Sequence, residues 1–131
     1  MIGLDTNVLV RYIMQDDAKQ SAKATQLIEA LTSDEPGFIA IVSVVELYWV
    51  LTSSYGLNDQ QVGQAFEAIL RTKQFCVEGA DQVLRALRVF GAGHADLADC
   101  LIERAAHDAG CLQTMTFDVS ASKHAGMTLI K

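Results

Sequence analysis

Acidic side chains at separated places in the sequence are the residues most able to do chemistry. Asp5, Glu46 and Asp118 each come just after a short apolar run, as residues at the carboxyl end of a buried strand would. Asp96 and Asp99 open the helical segment that leads to the last of these runs. Because open parallel sheets bind ligands outside the carboxyl ends of their strands, we expect these carboxylates to converge on one sheet edge.

A cluster of carboxylates at one sheet edge predicts a metal site. Like charges at close range repel and raise one another's pKa, so the cluster is unstable unless a cation lies among them. Hard divalent ions such as Mg²⁺ and Mn²⁺ prefer oxygen ligands. The pattern therefore predicts a site for one of these ions.

Each acidic residue also has a local structural interpretation. Ser43 and Glu46 have the spacing of a capping box, in which Ser43 would be the N-cap and Glu46 the N3 residue of a helix. Asp96 and Asp118 could each cap the helical segment that follows them. Asp5 is harder to explain by a turn alone, since it directly ends an apolar strand, where an unpaired carboxylate is costly.

Other residue types give weaker signals. Cys76, Cys100 and Cys111 are widely spaced and lack metal-ligand spacing, so we expect buried small hydrophobic residues. The histidines lie among polar neighbours, as solvated residues do, and no nucleophile motif accompanies them. The aromatic residues of the segment Ser43–Tyr55 are expected to pack in the core or in a dimer interface.

Short apolar runs alternate with helical patterns, which predicts one α/β domain with a parallel sheet. Strands are predicted over Met1–Leu4, Phe38–Val42, Phe75–Glu78, Cys111–Thr116 and Thr128–Ile130. Helices are predicted after the cap Asp16-Asp17, over Ser43–Tyr55, from Asn58-Asp59, and over Asp81–Phe90, Asp96–Ala109 and Val119–His124. The glycine-rich segment Gly91–Ala95 is predicted to be the most flexible.

Length and composition limit the class of protein. The chain has 131 residues, half of them hydrophobic, which suits a single domain over residues 1–131 with a real core. Its net charge of -6 argues against a protein that coats nucleic acid by neutralising phosphates. No apolar stretch reaches the roughly 18 residues of a membrane span, and no basic leader follows Met1, so we expect a cytoplasmic protein without membrane contact.

Four segments resemble the motifs of the PIN-domain ribonucleases. The opening Leu4–Val10 is similar to the first motif, and the second, third and fourth resemble Ser43–Leu47, Asp96–Ile102 and Thr116–Asp118. They occur in the family's order and extend over nearly the whole chain. The continuation Arg11-Tyr12 and Gln15-Asp16-Asp17 is similar to the VapC-type toxins of bacterial toxin–antitoxin pairs.

The resemblance implies a three-layer α/β/α sandwich with a parallel central sheet, and an Mg²⁺- or Mn²⁺-dependent endoribonuclease. It places Asp5, Glu46, Asp99 and Asp118 at the family's acidic positions as catalytic residues and metal ligands. Asp96 is an additional metal-binding carboxylate, one helical turn before Asp99. The implied partners are an RNA substrate, an antitoxin protein that occupies the acidic groove, and a second copy of the chain in a homodimer.

Polar residues beside the acidic positions have implied supporting roles. Thr6, Asn7 and Thr116 fit positions from which ligands or water are oriented. Arg11 and Lys123, near the first and fourth motifs, are candidate phosphate contacts, with a solvated surface role as the alternative.

Three other interpretations remain open beside a toxin. A haloacid dehalogenase-type phosphatase also begins with a strand that ends in Asp, but it needs a second Asp where this chain has Asn7. A non-catalytic interaction module or a housekeeping RNA-processing nuclease could have the same fold. The complete set of carboxylates favours an enzyme over the non-catalytic module.

Overall fold

A computed structural model describes all residues, Met1–Lys131. The chain forms two compact units, Met1–Ala80 and Asp81–Lys131, each of which is described by itself. None of its helices has both the length and the apolar character needed to cross a lipid bilayer.

The first unit alternates strands with helices. Its elements are β1 (Ile2–Gly3), α1 (Thr6–Met14), α2 (Ala18–Glu29), β2 (Gly37–Ile39), α3 (Ile41–Trp49), a π-helical segment (Val50–Ser54), α4 (Asp59–Arg71) and β3 (Phe75–Val77). The strands pair in parallel in the order β1-β2-β3, with Ile2 opposite Gly37 and Phe38 opposite Cys76. Helical crossovers between successive strands make this parallel pairing possible.

The core of the first unit follows the helical and strand periodicity of the sequence. α4 places Val62, Phe66 and Ile69 on one buried face, at the spacing of an amphipathic helix. Gly37 lies where β2 passes close to the core: a Cβ atom there would lie 2.7 Å from Leu4 Cδ1 and 2.9 Å from Leu31 Cδ1. A side chain at this position would therefore have to displace these two leucines.

The second unit is mostly helical. Its elements are α5 (Ala80–Ala92), which begins at the last residue of the first unit, α6 (Leu97–Asp108), β4 (Met115–Thr116), α7 (Val119–His124) and β5 (Thr128–Leu129). β4 and β5 form a parallel pair with Met115 opposite Thr128, and α7 contacts both strands. The fully buried side chains of this unit include Phe90, Leu97 and Cys100.

The predicted α/β fold with parallel strands is confirmed, although several boundaries differ. β2 ends at Ile39 and α3 begins at Ile41, so the prediction of a strand through Val42 is wrong; the Val42 side chain is 74% exposed. β4 is shorter than predicted. α5 continues through Ala92, so Gly91 is helical and does not belong to a loop.

The prediction that all three cysteines are buried is wrong. Cys100 is buried, and burial, followed by the charges of Asp96 and Asp99, raises the pKa of its thiol to about 11. Such a thiol stays protonated and unreactive at neutral pH. Cys76 and Cys111 are exposed.

Candidate active site

Asp5 lies where β1 gives way to α1. The chain is extended at Asp5 (φ -73°, ψ 154°), and the side chain is the N-cap of α1, with Oδ1 accepting the Thr6 N–H at 2.8 Å. Aspartate suits this position because its carboxylate satisfies a free N–H and opposes the positive end of the helix dipole. The second carboxylate oxygen makes no hydrogen bond with the protein, and the residue is exposed. The cap thus fixes the carboxylate and leaves one oxygen for a ligand.

Glu46 does not belong to a capping box, so that interpretation of Ser43 and Glu46 is wrong. α3 begins at Ile41, with Ala40 as an N-cap that makes no side-chain hydrogen bond. The Ile41 N–H donates instead to Glu78 Oε1, at 2.8 Å, just after β3. Ser43 is therefore the third residue of the helix, and Glu46 lies on the following turn with an exposed carboxylate.

Asp5 and Glu46 line the same groove of the first unit. The groove has a volume of about 680 Å³, and its remaining lining comes from α1, the π-helical segment and the residue after it: Thr6, Asn7, Val10, Arg11, Val50, Ser54 and Tyr55. Thr6 Oγ1 is buried and has no hydrogen-bond partner in the protein. Buried hydroxyl groups are normally hydrogen-bonded, so this one is suited to an ordered water or a ligand oxygen.

Arg11 supplies a fixed positive charge in this groove. Its Nη1 donates to both carboxylate oxygens of Asp16, at 2.9 and 3.1 Å, and to the Tyr55 hydroxyl at 3.0 Å. Its Nε donates to Gln20 Oε1 at 2.9 Å. The hydrogen bond with Tyr55, followed by that with Asp16, raises the pKa of Arg11 further above its ordinary value. The guanidinium is therefore charged and held in place from three sides.

The second unit gathers three aspartates. Asp96 is the N-cap of α6, with Oδ1 accepting the Asp99 N–H at 3.0 Å, and Asp118 is the N-cap of α7, with Oδ1 accepting the Ala121 N–H at 3.1 Å. The interpretations of Asp96 and Asp118 as helix caps are therefore confirmed. Burial, followed by the charges of Asp96 and Asp118, raises the pKa of Asp99. The charges of Asp96 and Asp118 thus act on Asp99 as the repulsion expected between neighbouring carboxylates.

Both sets of donors fit a hard divalent ion by their chemistry, because every candidate ligand is a carboxylate oxygen. The aspartates of the second unit repel one another, and the first unit adds the unpartnered hydroxyl of Thr6 beside Asp5. The side chains do not form a complete coordination site. Nowhere in the structure are three or more His, Cys, Asp or Glu residues arranged to hold a metal ion. That all the acidic segments meet at one sheet edge stays a prediction.

The structure also places the supporting residues. Thr116 Oγ1 accepts the Asp118 N–H at 3.0 Å and so orients the start of α7, while Lys123 is exposed in the last turn of that helix. Sequence reasoning missed Glu78 as a helix cap and Tyr55 as a partner of Arg11. Neither has a local signal, because their partners lie 37 and 44 residues away in the chain.

The model of the PIN domain family matches residues 2–126, a range that includes nearly all of both compact units. The chain belongs to the PIN domain family. Proteins of this family are generally nucleases with metal-dependent activity, and they act on RNA. A comparison with curated proteins finds no significant match. The assignment made from the four motifs is thus confirmed at the level of the PIN domain.

Proposed function

We propose that this PIN domain is an Mg²⁺- or Mn²⁺-dependent endoribonuclease that hydrolyses RNA phosphodiester bonds. Asp5, Glu46, Asp99 and Asp118 are its catalytic carboxylates, and Asp96 joins them as a metal ligand. The observation that carries the proposal is the groove of the first unit, in which Asp5 and Glu46 lie together with the buried, unpartnered hydroxyl of Thr6.

The chemistry is hydrolysis by in-line attack of water at phosphorus. When bound, the divalent ion supplies positive charge at the phosphate and makes the attacking water more acidic. A carboxylate of the site orients that water and takes its proton, while the bond from phosphorus to the leaving 3′ ribose oxygen breaks and that oxygen takes a proton from solvent. We expect a 3′-hydroxyl on one product and a 5′-phosphate on the other. Thr6 and Asn7 line the groove beside Asp5, where their polar groups can position water or a carboxylate.

We further propose that the nuclease is the toxin of a toxin–antitoxin pair and acts in the cytoplasm as a homodimer. The resemblance of the segment after the first motif to VapC-type toxins supports this role; its Arg11 and Asp16 form one hydrogen-bonded network with Tyr55. An antitoxin would inhibit the enzyme by placing a peptide in the acidic groove. A small neighbouring reading frame that encodes a DNA-binding segment followed by such a tail would distinguish a toxin from a housekeeping nuclease.

Cleavage of a panel of structured RNAs tests the proposed activity. The purified protein should cut RNA in Mg²⁺ or Mn²⁺ and leave it intact in EDTA. Asp5→Asn should lose cleavage and keep the fold, because asparagine caps helices about as well as aspartate. Asp34→Asn, which removes an exposed carboxylate from a loop outside the groove, is the matched control and should cleave normally.

Two results would contradict the proposal. If no RNA of the panel is cut in either metal, the protein is not the nuclease described. If purified Asp5→Asn cleaves at the rate of the unmodified protein, Asp5 has no part in the reaction.

A further inference from the structure

A second groove in the first unit adjoins the acidic one. It has a volume of about 490 Å³ and is formed by α1 and α2; its lining residues are Asn7, Val8, Arg11, Gln20, Lys23, Ala24 and Leu27. Asn7 and Arg11 line both grooves, so the two grooves adjoin at these side chains. A chain-like ligand can therefore pass from one to the other without leaving the surface of the first unit.

The two grooves differ in chemistry. The acidic groove holds Asp5 and Glu46, whereas no residue that lines the second groove is acidic. Lys23 is exposed on α2 and makes no ion pair, so its ammonium group is free to bind an anion. Val8 and Leu27 supply apolar surface beside it. Such a lining suits a polymer in which phosphates alternate with less polar sugars and bases.

Arg11 connects the two grooves. Its hydrogen bonds to Asp16, Tyr55 and Gln20 use Nε and Nη1, and Nη2 has no partner in the protein. A guanidinium held in this way can donate from Nη2 to a phosphate oxygen with little loss of side-chain entropy. Because Asp16 offsets the charge of Arg11, the free positive charge of the second groove comes from Lys23.

We propose that the RNA backbone runs from the acidic groove over Arg11 into the second groove, where Lys23 contacts a phosphate. The inference rests on the proposed function, since it names the path of the substrate beyond the cleaved bond. Lys23 is then a binding residue that lies outside all four sequence motifs.

The salt dependence of RNA binding tests this path. The probe is a fluorescein-labelled single-stranded RNA, bound to the full-length Asp5→Asn protein in magnesium buffer and followed by fluorescence anisotropy at about 50 to 200 mM salt. Loss of one phosphate contact reduces the slope of log K against log salt by about 0.7 for a single strand. We expect Lys23→Gln to lose this amount and to bind several RNA sequences more weakly by a similar factor.

Lys19→Gln is the matched control, because it removes the same charge from the same helix at an exposed position outside the groove. It should keep the parent slope, and Lys23→Arg should keep it too, because the charge remains. Circular dichroism verifies that each variant is folded. Equal slopes for Lys19→Gln and Lys23→Gln would overturn the proposal, as would an Asp5→Asn parent that binds no RNA.

Cleavage by the unmodified protein separates the two proposals. If it cuts RNA while Lys23→Gln and Lys19→Gln have the same salt slope of RNA binding, only the path is wrong. If no RNA is cut but the Lys23 slope changes as expected, the path stands and the nuclease assignment fails. A Lys23→Gln protein with an unchanged slope that no longer binds an acidic peptide would assign the groove to a protein partner and overturn the RNA path.

Discussion

The two compact units present carboxylates in different electrostatic settings. In the first unit, Asp5 and Glu46 share a groove with Arg11, whose charge is fixed by a hydrogen-bonded network. In the second unit, three aspartates repel one another, and none of them forms an ion pair. The groove of the first unit holds both signs of charge and suits a phosphate, whereas the cluster of the second gains most from a cation.

The carboxylates of the two units also differ in their effect on the stability of the fold. Asp99 bears a charge that its burial and its neighbours oppose, which lowers the stability of the metal-free fold. Asp5 stabilises the fold, because its carboxylate caps α1. The second unit should therefore show the larger response to a metal ion, and the first should show the larger response to changes in packing and phosphate binding.

The largest expected effect is on stabilisation by metal. Mn²⁺ at about 100 times its Kd should add about 2.7 kcal/mol to the free energy of unfolding, because it binds only the folded state. Asp99→Asn should lose most of this gain. Without metal, the same variant should be slightly more stable than the unmodified protein, since it removes a charge that the fold disfavours. Urea unfolding with Mn²⁺ and with EDTA measures both quantities.

Asp5→Asn is the comparison variant in that experiment. Its stability in EDTA should stay within a few tenths of a kcal/mol of the unmodified protein, because asparagine replaces aspartate as the cap. A full Mn²⁺ gain in Asp99→Asn, or a lower stability in EDTA, would show that the aspartates of the second unit do not form a strained cation site.

Two glycine substitutions should change stability in opposite directions. Gly37→Ala in the first unit forces a Cβ against Leu4 and Leu31 and should cost about 1–3 kcal/mol. Gly91→Ala in the second unit lies in α5 with no atom within 4 Å of the added Cβ, and should stabilise the protein by up to about 1 kcal/mol. Urea unfolding again measures both. Equal stabilities would mean that β2 does not pack as tightly as described.

The smallest expected effect concerns the network around Arg11. The hydrogen bond from Tyr55, more than that from Arg11, lowers the pKa of Asp16 below its ordinary value of 3.8. The folded state therefore favours ionised Asp16, and this stabilisation is complete above that value and disappears as the pH falls through the lowered pKa. The effect is small because the group is exposed to solvent.

Asp16→Asn and Tyr55→Phe isolate this contribution. The stability difference between the unmodified protein and Asp16→Asn should be larger near pH 7 than at about pH 3, and Tyr55→Phe should reduce that change. Urea unfolding at the two pH values checks it. A difference that is independent of pH would show that the network does not couple Asp16 to folding.

Local signals in the sequence predicted the start of most helices. Asp17, Asn58, Asp96 and Asp118 are N-caps in the structure, because a short polar side chain before an apolar helical pattern satisfies nearby N–H groups. Ser43 has the same local signal, yet α3 begins earlier. Its first N–H is satisfied by a glutamate that is distant in sequence, and no local pattern contains that information.

For the candidate site too, the sequence predicted some features and missed others. The residue types and their order identified the family, and Asp5 and Glu46 do line one groove as the strand-end argument expected. The exposure of Cys76 and Cys111 and the partners of Tyr55 depend on which distant elements pack together. Composition and periodicity describe how one element meets the core, but they do not specify the side chains that meet across elements.

The π-helical segment Val50–Ser54 affects how this part of the chain tolerates insertions and deletions. The Tyr55 N–H donates to the Val50 carbonyl at 3.3 Å, so the chain here uses more residues per turn than an α-helix. Deleting one residue would be absorbed by a return to ordinary α-helical winding, whereas inserting one would rotate the following side chain by about 100° around the helix axis. The tyrosine would then swing away from its arginine, whereas most substitutions nearby would leave it in place. An insertion in this stretch therefore alters the wall of the acidic groove more than the deletion of one residue does.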